Sequence, residues 1–208
     1  MLCRVLTKPS DEALHCALHM LAYLDTQRHR GIQYNDAAPG EPVCYYDSSS
    51  KRDPKDSHAQ YGWVVIMFGG PVMWCTKKHN HTGRSSTDDE YMTLAHACNA
   101  VLWLRSLLRE MGFENLIRDA TPLLGDNDQA TSLARDDRLT QANRYFRRDY
   151  HFAKECYEEG DVCPRRVPGT ENIADLLTKS LGPQPLQHLT PRFTGYAALD
   201  PPPAAPPQ

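Results

Sequence analysis

The sequence lacks several features that mark whole classes of protein. Its longest apolar stretch, residues 63–75, is interrupted by a Gly-Gly-Pro segment, so no run is long enough to cross a bilayer. The first ten residues contain no continuous apolar stretch, and a signal peptide is therefore not expected. No two of the seven cysteines have C-x-x-C spacing, and an odd number argues against a secreted disulfide framework. We expect an intracellular protein, cytoplasmic or nuclear, with no membrane partner.

An excess of basic charge is also lacking. Lys and Arg number 23 against 26 Asp and Glu, which gives a formal net charge of −3. Proteins that hold nucleic acid on their own usually carry a basic excess. Any contact with nucleic acid is therefore expected to be local, or to be shared with another domain. With 208 residues, the chain has room for one core domain and some appendages.

Hydrophobic periodicity predicts a mixed α/β sheet with helices on its faces. Five strands are expected, of which the second and third form a hairpin around Gly69-Gly70 and the fifth lies at an edge because of its prolines. The predicted strands are 43–49, 63–68, 71–76, 121–126 and 162–168, and the predicted helices are 10–28, 87–111, 127–137, 140–159 and 171–181. We expect an amphipathic helix and linker in 1–41, the core domain in 42–182, and an extension with a disordered Pro-rich tail in 183–208.

Four carboxylates stand out, and each has an ordinary structural interpretation as well. Asp47 interrupts a predicted strand, where Asp is depleted, but it could begin a turn. Glu90 follows Thr87 with the spacing of a capping box. Asp126 stands between a strand and a helix, where an N-cap is common. Asp175 lies in the early turns of the last predicted helix, where the helix dipole favours a solvated carboxylate.

Taken together, the four positions favour a metal site over four separate structural roles. If the sheet brings these chain positions together, four negative charges converge and raise one another's pKa values. Two Mg²⁺ ions, which prefer carboxylate and water oxygens, would remove that cost. Such a pair can activate water on one side of a phosphodiester and stabilise the leaving oxygen on the other.

Five segments, in order and spacing, resemble the ribonuclease H domain of copia-type retrotransposon Pol polyproteins. They are CYYDSSS (44–50), YGWVVIMFGGPVMWCTKKH (61–79), SSTDDEYMTLAHA (85–97), LLGDNDQATSLA (123–134) and VPGTENIADLLTKSL (167–181). The stretch at 8–34 resembles the segment that connects reverse transcriptase to that domain. The resemblance covers residues 8 to about 195. It implies a ribonuclease H-like five-stranded mixed sheet flanked by helices.

The resemblance also implies an activity and its residues. The activity is Mg²⁺-dependent hydrolysis of the RNA strand of an RNA–DNA hybrid, with Mn²⁺ able to substitute, and the implied partner is a reverse transcriptase domain in a parent polyprotein. The family's metal-binding acids fall on Asp47, Glu90, Asp126 and Asp175. By the resemblance, Asp47 bridges both ions, Glu90 and Asp126 support the leaving-group ion, and Asp175 supports the water-activating one.

Two departures from the family pattern leave an alternative open. Ser49 stands where the family often has a second Asp, and the segment NRYFRRDYHF (143–152) keeps only the end of the family's corresponding stretch. The first change removes an acid outside the metal quartet, whereas the second alters a helix expected to face substrate or a partner. The alternative function is a catalytically decayed, retrotransposon-derived module for nucleic-acid binding or protein interaction.

Phosphate contacts are expected from basic residues near the carboxylates along the chain. Their alternative interpretation is an ordinary charged surface. The candidates are Lys77, Lys78, Arg144, Arg147 and Arg148.

Overall fold

The structure, a computed structural model, describes residues 10–49, 58–80, 85–128, 132 and 147–197, without the side chains of 147–150. Most of the predicted helix at 127–137, the start of the one at 140–159, Arg144 and the Pro-rich tail lie outside the described residues. The chain divides into two compact units, residues 1–32 and 33–208. Within the described part, no helix combines the length and hydrophobicity that a membrane span requires.

The first unit contains one helix, α1, Asp11–Thr26. The hydroxyl of Ser10 accepts a hydrogen bond from the backbone N–H of Ala13 at 3.2 Å, so Ser10 is the N-cap. Asp11 and Glu12 place negative charge in the first turn, where the helix dipole favours it. The predicted helix over 10–28 is confirmed.

The second unit is built on a five-stranded sheet in the order β3-β2-β1-β4-β5. β1 pairs antiparallel with β2, and β2 with β3, whereas β1–β4 and β4–β5 are parallel. The mixed sheet with an edge position for β5 is therefore confirmed. The strands are β1 Val43–Ser48, β2 Gln60–Met67, β3 Gly70–Lys78, β4 Thr121–Gly125 and β5 Val162–Arg166.

Helices cover both faces of this sheet, as predicted. The longest, α2 (Ser86–Glu110), packs with α3 (Arg147–Glu158) on one face, where residues such as Leu94 and Val101 are fully buried. The short α4 (Asp175–Thr178) and α5 (Pro183–Thr194) cover the other face. β1 lies in the middle and contributes Tyr46 to the first core cluster and Tyr45 to the second.

The predicted closing helix at 171–181 is wrong in extent. Only Asp175–Thr178 is α-helical, and a 3-10 turn at Gly169–Glu171 precedes it. Asn172 between them is extended, because its Nδ2 donates to the carbonyl of Tyr46 at 3.0 Å and its Oδ1 accepts from the N–H of Ala174 at 3.2 Å. The first bond ties the segment to β1, and the second caps the turn that follows within the segment, which replaces a helix continuous through Asn172.

A further helix, α5, was not predicted. It begins with Pro183 in its first turn and ends at Gly195, whose φ of 84° provides a left-handed C-cap. Leu189 is buried, and Phe193 packs beside it in the second core cluster. The region assigned to a C-terminal extension thus starts with a helix that belongs to the core.

A buried arginine joins three parts of the second unit. Arg105 of α2 lies 2.9 Å from the carboxylate of Asp161, before β5. Its guanidinium also donates to the carbonyl of Asp119 at 2.9 Å and to the hydroxyl of Thr121 at 3.2 Å. Because a buried charge is tolerated only when it is paired and hydrogen-bonded, this network fixes α2 against the start of β4.

We expect Arg105→Met to lower the free energy of unfolding by about 2 kcal/mol, because it leaves the partly buried Asp161 and two acceptors without their donor. Urea denaturation measures the change. Arg109→Met, on an exposed position of the same helix, is the control and is expected to change stability by less than about 0.5 kcal/mol. Equal effects of the two substitutions would contradict the role given to Arg105.

Candidate metal centre

Two of the sequence-predicted carboxylates meet at one edge of the sheet because β1 and β4 are parallel neighbours. Their register pairs Tyr45 with Leu124. Continued by two residues, that register sets Asp47 opposite Asp126, which directly follows β4. Asp47 lies within β1 and is fully buried, so the alternative that it begins a turn is wrong.

Glu90 reaches the same edge from the start of α2. The N-cap of α2 is Ser85, whose hydroxyl accepts from the N–H of Asp88 at 3.1 Å. The predicted capping box from Thr87 to Glu90 is therefore wrong. Instead, Glu90 Oε1 accepts a hydrogen bond from the backbone N–H of Ser48 at 3.4 Å, at the end of β1.

The three carboxylates are close enough to share a cation. One oxygen each of Asp47, Glu90 and Asp126 lie within 4.8 Å of one another. Glu90 Oε2 is buried and has no hydrogen-bond partner among the described residues. A buried carboxylate oxygen without a donor is costly, and hard divalent cations prefer such oxygens. The residues present therefore fit a divalent metal ion.

Asp175 lies beside this group and is joined to it by a lysine. Lys179 Nζ is 2.7 Å from Asp175 Oδ1, 3.1 Å from Asp47 Oδ1 and 3.9 Å from Asp126 Oδ2. With only 9% of its surface exposed, Asp175 is not the solvated carboxylate of the alternative interpretation. Lys179 was not predicted as part of the site, although its spacing of four residues from Asp175 is the signal of an ion pair on a helix.

A glycine lets α4 approach Asp47. Gly62 of β2 is the cross-strand partner of Asp47, and a Cβ atom at Gly62 would lie 2.6 Å from the Cβ of Leu177. The hydroxyl of Thr178 donates to Asp47 Oδ2. The carbonyl of Leu177 accepts from Thr76 Oγ1 at 2.6 Å, which anchors the end of α4 to the sheet.

The electrostatics of the group are those of crowded negative charge. Burial, followed by the charges of Asp47 and Asp126, raises the pKa of Glu90 to about 9. Burial and Asp47 raise the pKa of Asp175 to about 6. Burial also raises the pKa of Asp47, although Lys179 opposes this. Burial lowers the pKa of the Lys179 ammonium, but the charges of Asp47 and Asp175 have the larger effect, so this pKa is raised. The site therefore favours added positive charge.

Basic side chains lie at the same edge of the sheet. Lys77 pairs with Tyr61, which pairs with Ser48, so Lys77 lies two strands from the end of β1. On the other side, Arg166 ends β5 opposite Gly125 and forms a 2.8 Å ion pair with Asp128. Lys77 is exposed and Lys78 half-buried, whereas Arg144 and the side chains of Arg147 and Arg148 lie outside the described part of the chain.

The chain is similar in sequence to Pol polyproteins of transposons. The Retrovirus-related Pol polyprotein from transposon RE1 of Arabidopsis thaliana is 28% identical over 187 residues, which cover 89% of this chain. The corresponding polyprotein from transposon RE2 is 27% identical over 83% of the chain. The homologues of this chain are thus Pol polyproteins of copia-type transposons. The chain spans only 12% of the length of each of these two polyproteins. No protein-family model matches it.

A solved structure adds the fold. LC11-RNase H1, isolated from compost, superimposes with a TM-score of 0.50 at 15% identity and covers 67% of this chain and 93% of its own. The mixed five-stranded sheet flanked by helices is the ribonuclease H fold. In this fold, Asp47 lies in β1 and Asp126 directly follows the parallel neighbour β4. Glu90 lies in α2, the first helix after the β2–β3 hairpin.

We expect Glu90→Gln to stabilise the ribonuclease H-like domain without metal ions. The folded chain holds a proton on Glu90 up to a pKa of about 9, against an ordinary value of 4.5, so the stability of the wild type falls as pH rises through this window. In EDTA at pH 8, the variant should be more stable by several kcal/mol, up to about 5 kcal/mol, since one pKa unit corresponds to about 1.4 kcal/mol and pH 8 lies about 3.5 units above the ordinary value. At pH 4.5 the two should be nearly equal.

Urea denaturation across pH 4.5–9 measures this difference. Glu110→Gln, at an exposed position near the end of the same helix, is the matched control and should follow the wild type at every pH. A Glu90→Gln profile parallel to that of the wild type would show that Glu90 ionises freely in the folded chain.

Proposed function

We propose that this chain is a ribonuclease H that hydrolyses the RNA strand of RNA–DNA hybrids at a two-metal centre. The observation that carries the proposal is the convergence of Asp47, Glu90 and Asp126 at one edge of a ribonuclease H fold. The Pol polyprotein homologues support the same activity, because they place the chain in a retroelement context. They also support a reverse transcriptase domain of a parent polyprotein as partner.

The chemistry needs no nucleophilic side chain from the protein. Two divalent ions, Mg²⁺ or Mn²⁺, would supply an activated water on one side of the phosphodiester and stabilisation of the leaving oxygen on the other. One ion would be held by Asp47, Glu90 and Asp126. The other would be held by Asp47 and Asp175. The rigid β1 and β4 fix Asp47 and Asp126, so the carboxylates are positioned before substrate binds.

The basic residues along the edge would bind the hybrid backbone. Lys77 and Lys78 lie on one side of the carboxylates and Arg166 on the other, which is the arrangement expected for contacts to phosphates flanking the scissile bond. Phosphate contacts carry no base information. We therefore propose recognition of the hybrid by its groove shape and 2′-hydroxyls, without sequence preference.

Cleavage of labelled hybrid in Mg²⁺ tests the proposal. We expect Asp126→Asn and Asp47→Asn each to lower the rate at least about 100-fold, because loss of even an outer partner of a metal ligand costs 10–100-fold. Asp119→Asn is the control, since its exposed side chain precedes β4 at the end opposite to Asp126, and it should retain wild-type activity. RNA duplex and DNA duplex of the same sequence should remain uncut.

A binding module without hydrolysis is the second candidate, and Lys179 is the observation that favours it. An ammonium among the carboxylates offsets part of their charge without any metal ion. This candidate predicts that the chain binds hybrid but leaves it intact in both Mg²⁺ and Mn²⁺, and that Asp126→Asn is indistinguishable from the wild type. Metal-dependent cleavage that is lost in Asp126→Asn would exclude it.

A further inference from the structure

We propose that Lys179 is a positioning residue that controls how many metal ions the site accepts. While Lys179 occupies one half of the carboxylate cluster, the free chain binds one divalent ion, and a second binds only when Lys179 leaves its carboxylate partners. The inference rests on the proposed function, since it concerns metal binding at the same site.

The carboxylate cluster has two halves that share Asp47. In the first half, oxygens of Asp47, Glu90 and Asp126 lie within 4.8 Å of one another, and Glu90 Oε2 has no donor among the described residues. In the second half, Asp47 Oδ1 and Asp175 Oδ1 are already in contact with Lys179 Nζ, at 3.1 and 2.7 Å. Lys179 Nζ also lies 3.9 Å from Asp126 Oδ2 in the first half, but Glu90 Oε2 there remains without a donor in the described part of the chain, so the first half is the one that can accept a cation while Lys179 stays in place.

The side chain of Lys179 is able to move although its backbone is fixed. The preceding residues of α4 are anchored by the carbonyl of Leu177 on Thr76 and by the hydroxyl of Thr178 on Asp47. The side chain of Lys179 itself is 35% exposed, against 1% for that of Asp47. A flexible stem with a partly exposed end can rotate towards solvent without moving Asp47 or α4. Displacement of Lys179 therefore does not require α4 to unfold.

Charge balance explains why the second ion would bind together with substrate. One divalent ion together with the ammonium of Lys179 nearly balances the four carboxylates. A second divalent ion bound while Lys179 stays in place would leave an excess of positive charge at a partly buried site, which is unfavourable. A phosphodiester carries a negative charge that can accept the displaced ammonium as an ion pair, and the two ions then balance the four carboxylates. Binding of substrate and binding of the second ion are thereby coupled.

The test counts Mn²⁺ ions on the full chain without substrate, by electron paramagnetic resonance and isothermal titration calorimetry. We expect one tightly bound ion in the wild type and two in Lys179→Ala, with affinity for the second raised at least about tenfold, since removal of a neighbouring charge at 3–4 Å is worth more than about 1.4 kcal/mol. Lys179→Arg keeps the positive charge and should bind one ion. Lys179→Met keeps the aliphatic stem and serves in place of Lys179→Ala if that variant does not fold.

Lys154→Ala is the matched control, because Lys154 also pairs with a carboxylate four residues away, Glu158 at 3.4 Å, but on α3. It should bind one ion, as the wild type does. Melting temperatures in EDTA give a readout that does not need metal. In EDTA, Lys179→Ala should have a lower melting temperature than the wild type. Saturating Mn²⁺ should raise the melting temperature of the variant by more than it raises that of the wild type.

The outcomes separate this inference from the proposed function. One ion bound with equal affinity to the wild type and to Lys179→Ala overturns the inference, while metal-dependent cleavage by the same preparation would leave the proposed function standing. Two ions on the free wild type also overturn it. A wild type that binds no Mn²⁺ and cleaves no hybrid overturns both.

Discussion

The site depends on one constraint, which is that parallel neighbours in a sheet end at the same edge. β1 and β4 are such neighbours, and each carries an aspartate where it ends. The fold thus forces Asp47 and Asp126 together, and Glu90 joins them from the start of α2. Buried carboxylates this close repel one another, so the fold needs positive charge at this edge. Lys179 supplies part of it, and we propose a divalent metal ion as the source of the rest.

Several residues away from the carboxylates keep this arrangement in place. Gly62 leaves the space in which α4 lies against β2, and Asn172 binds the segment before α4 to the backbone of β1. Arg105 holds α2, which carries Glu90, against the start of β4. The unfavourable charge at the edge is therefore offset by packing and hydrogen bonds on both faces of the sheet. Such a division between an electrostatically unfavourable site and a stable scaffold is expected of functional sites.

Much of this arrangement was predictable from sequence. Alternating and helical hydrophobic patterns predicted all five strands and the helices α1 and α2. Asp47, Glu90, Asp126 and Asp175 were selected from unusual positions and from family resemblance, and the structure brings the first three together and links the fourth through Lys179. Their role as metal ligands stays a prediction. The break at Asn172 was missed because it depends on a contact with β1, more than 120 residues earlier in the chain, which leaves no local pattern. The four-residue spacing of Lys179 from Asp175 signals an ion pair, but its contact with Asp47 of β1 has no such local signal.

The central claim is that the carboxylates at this edge form a metal centre. Anomalous diffraction from crystals of the chain soaked in Mn²⁺ tests it most directly. We predict a strong anomalous peak in contact with oxygens of Asp47, Glu90 and Asp126, and loss of that peak in Asp126→Asn. A map without any peak at these carboxylates in crystals that show Mn²⁺ bound elsewhere, or at concentrations well above those of the protein, would contradict the account.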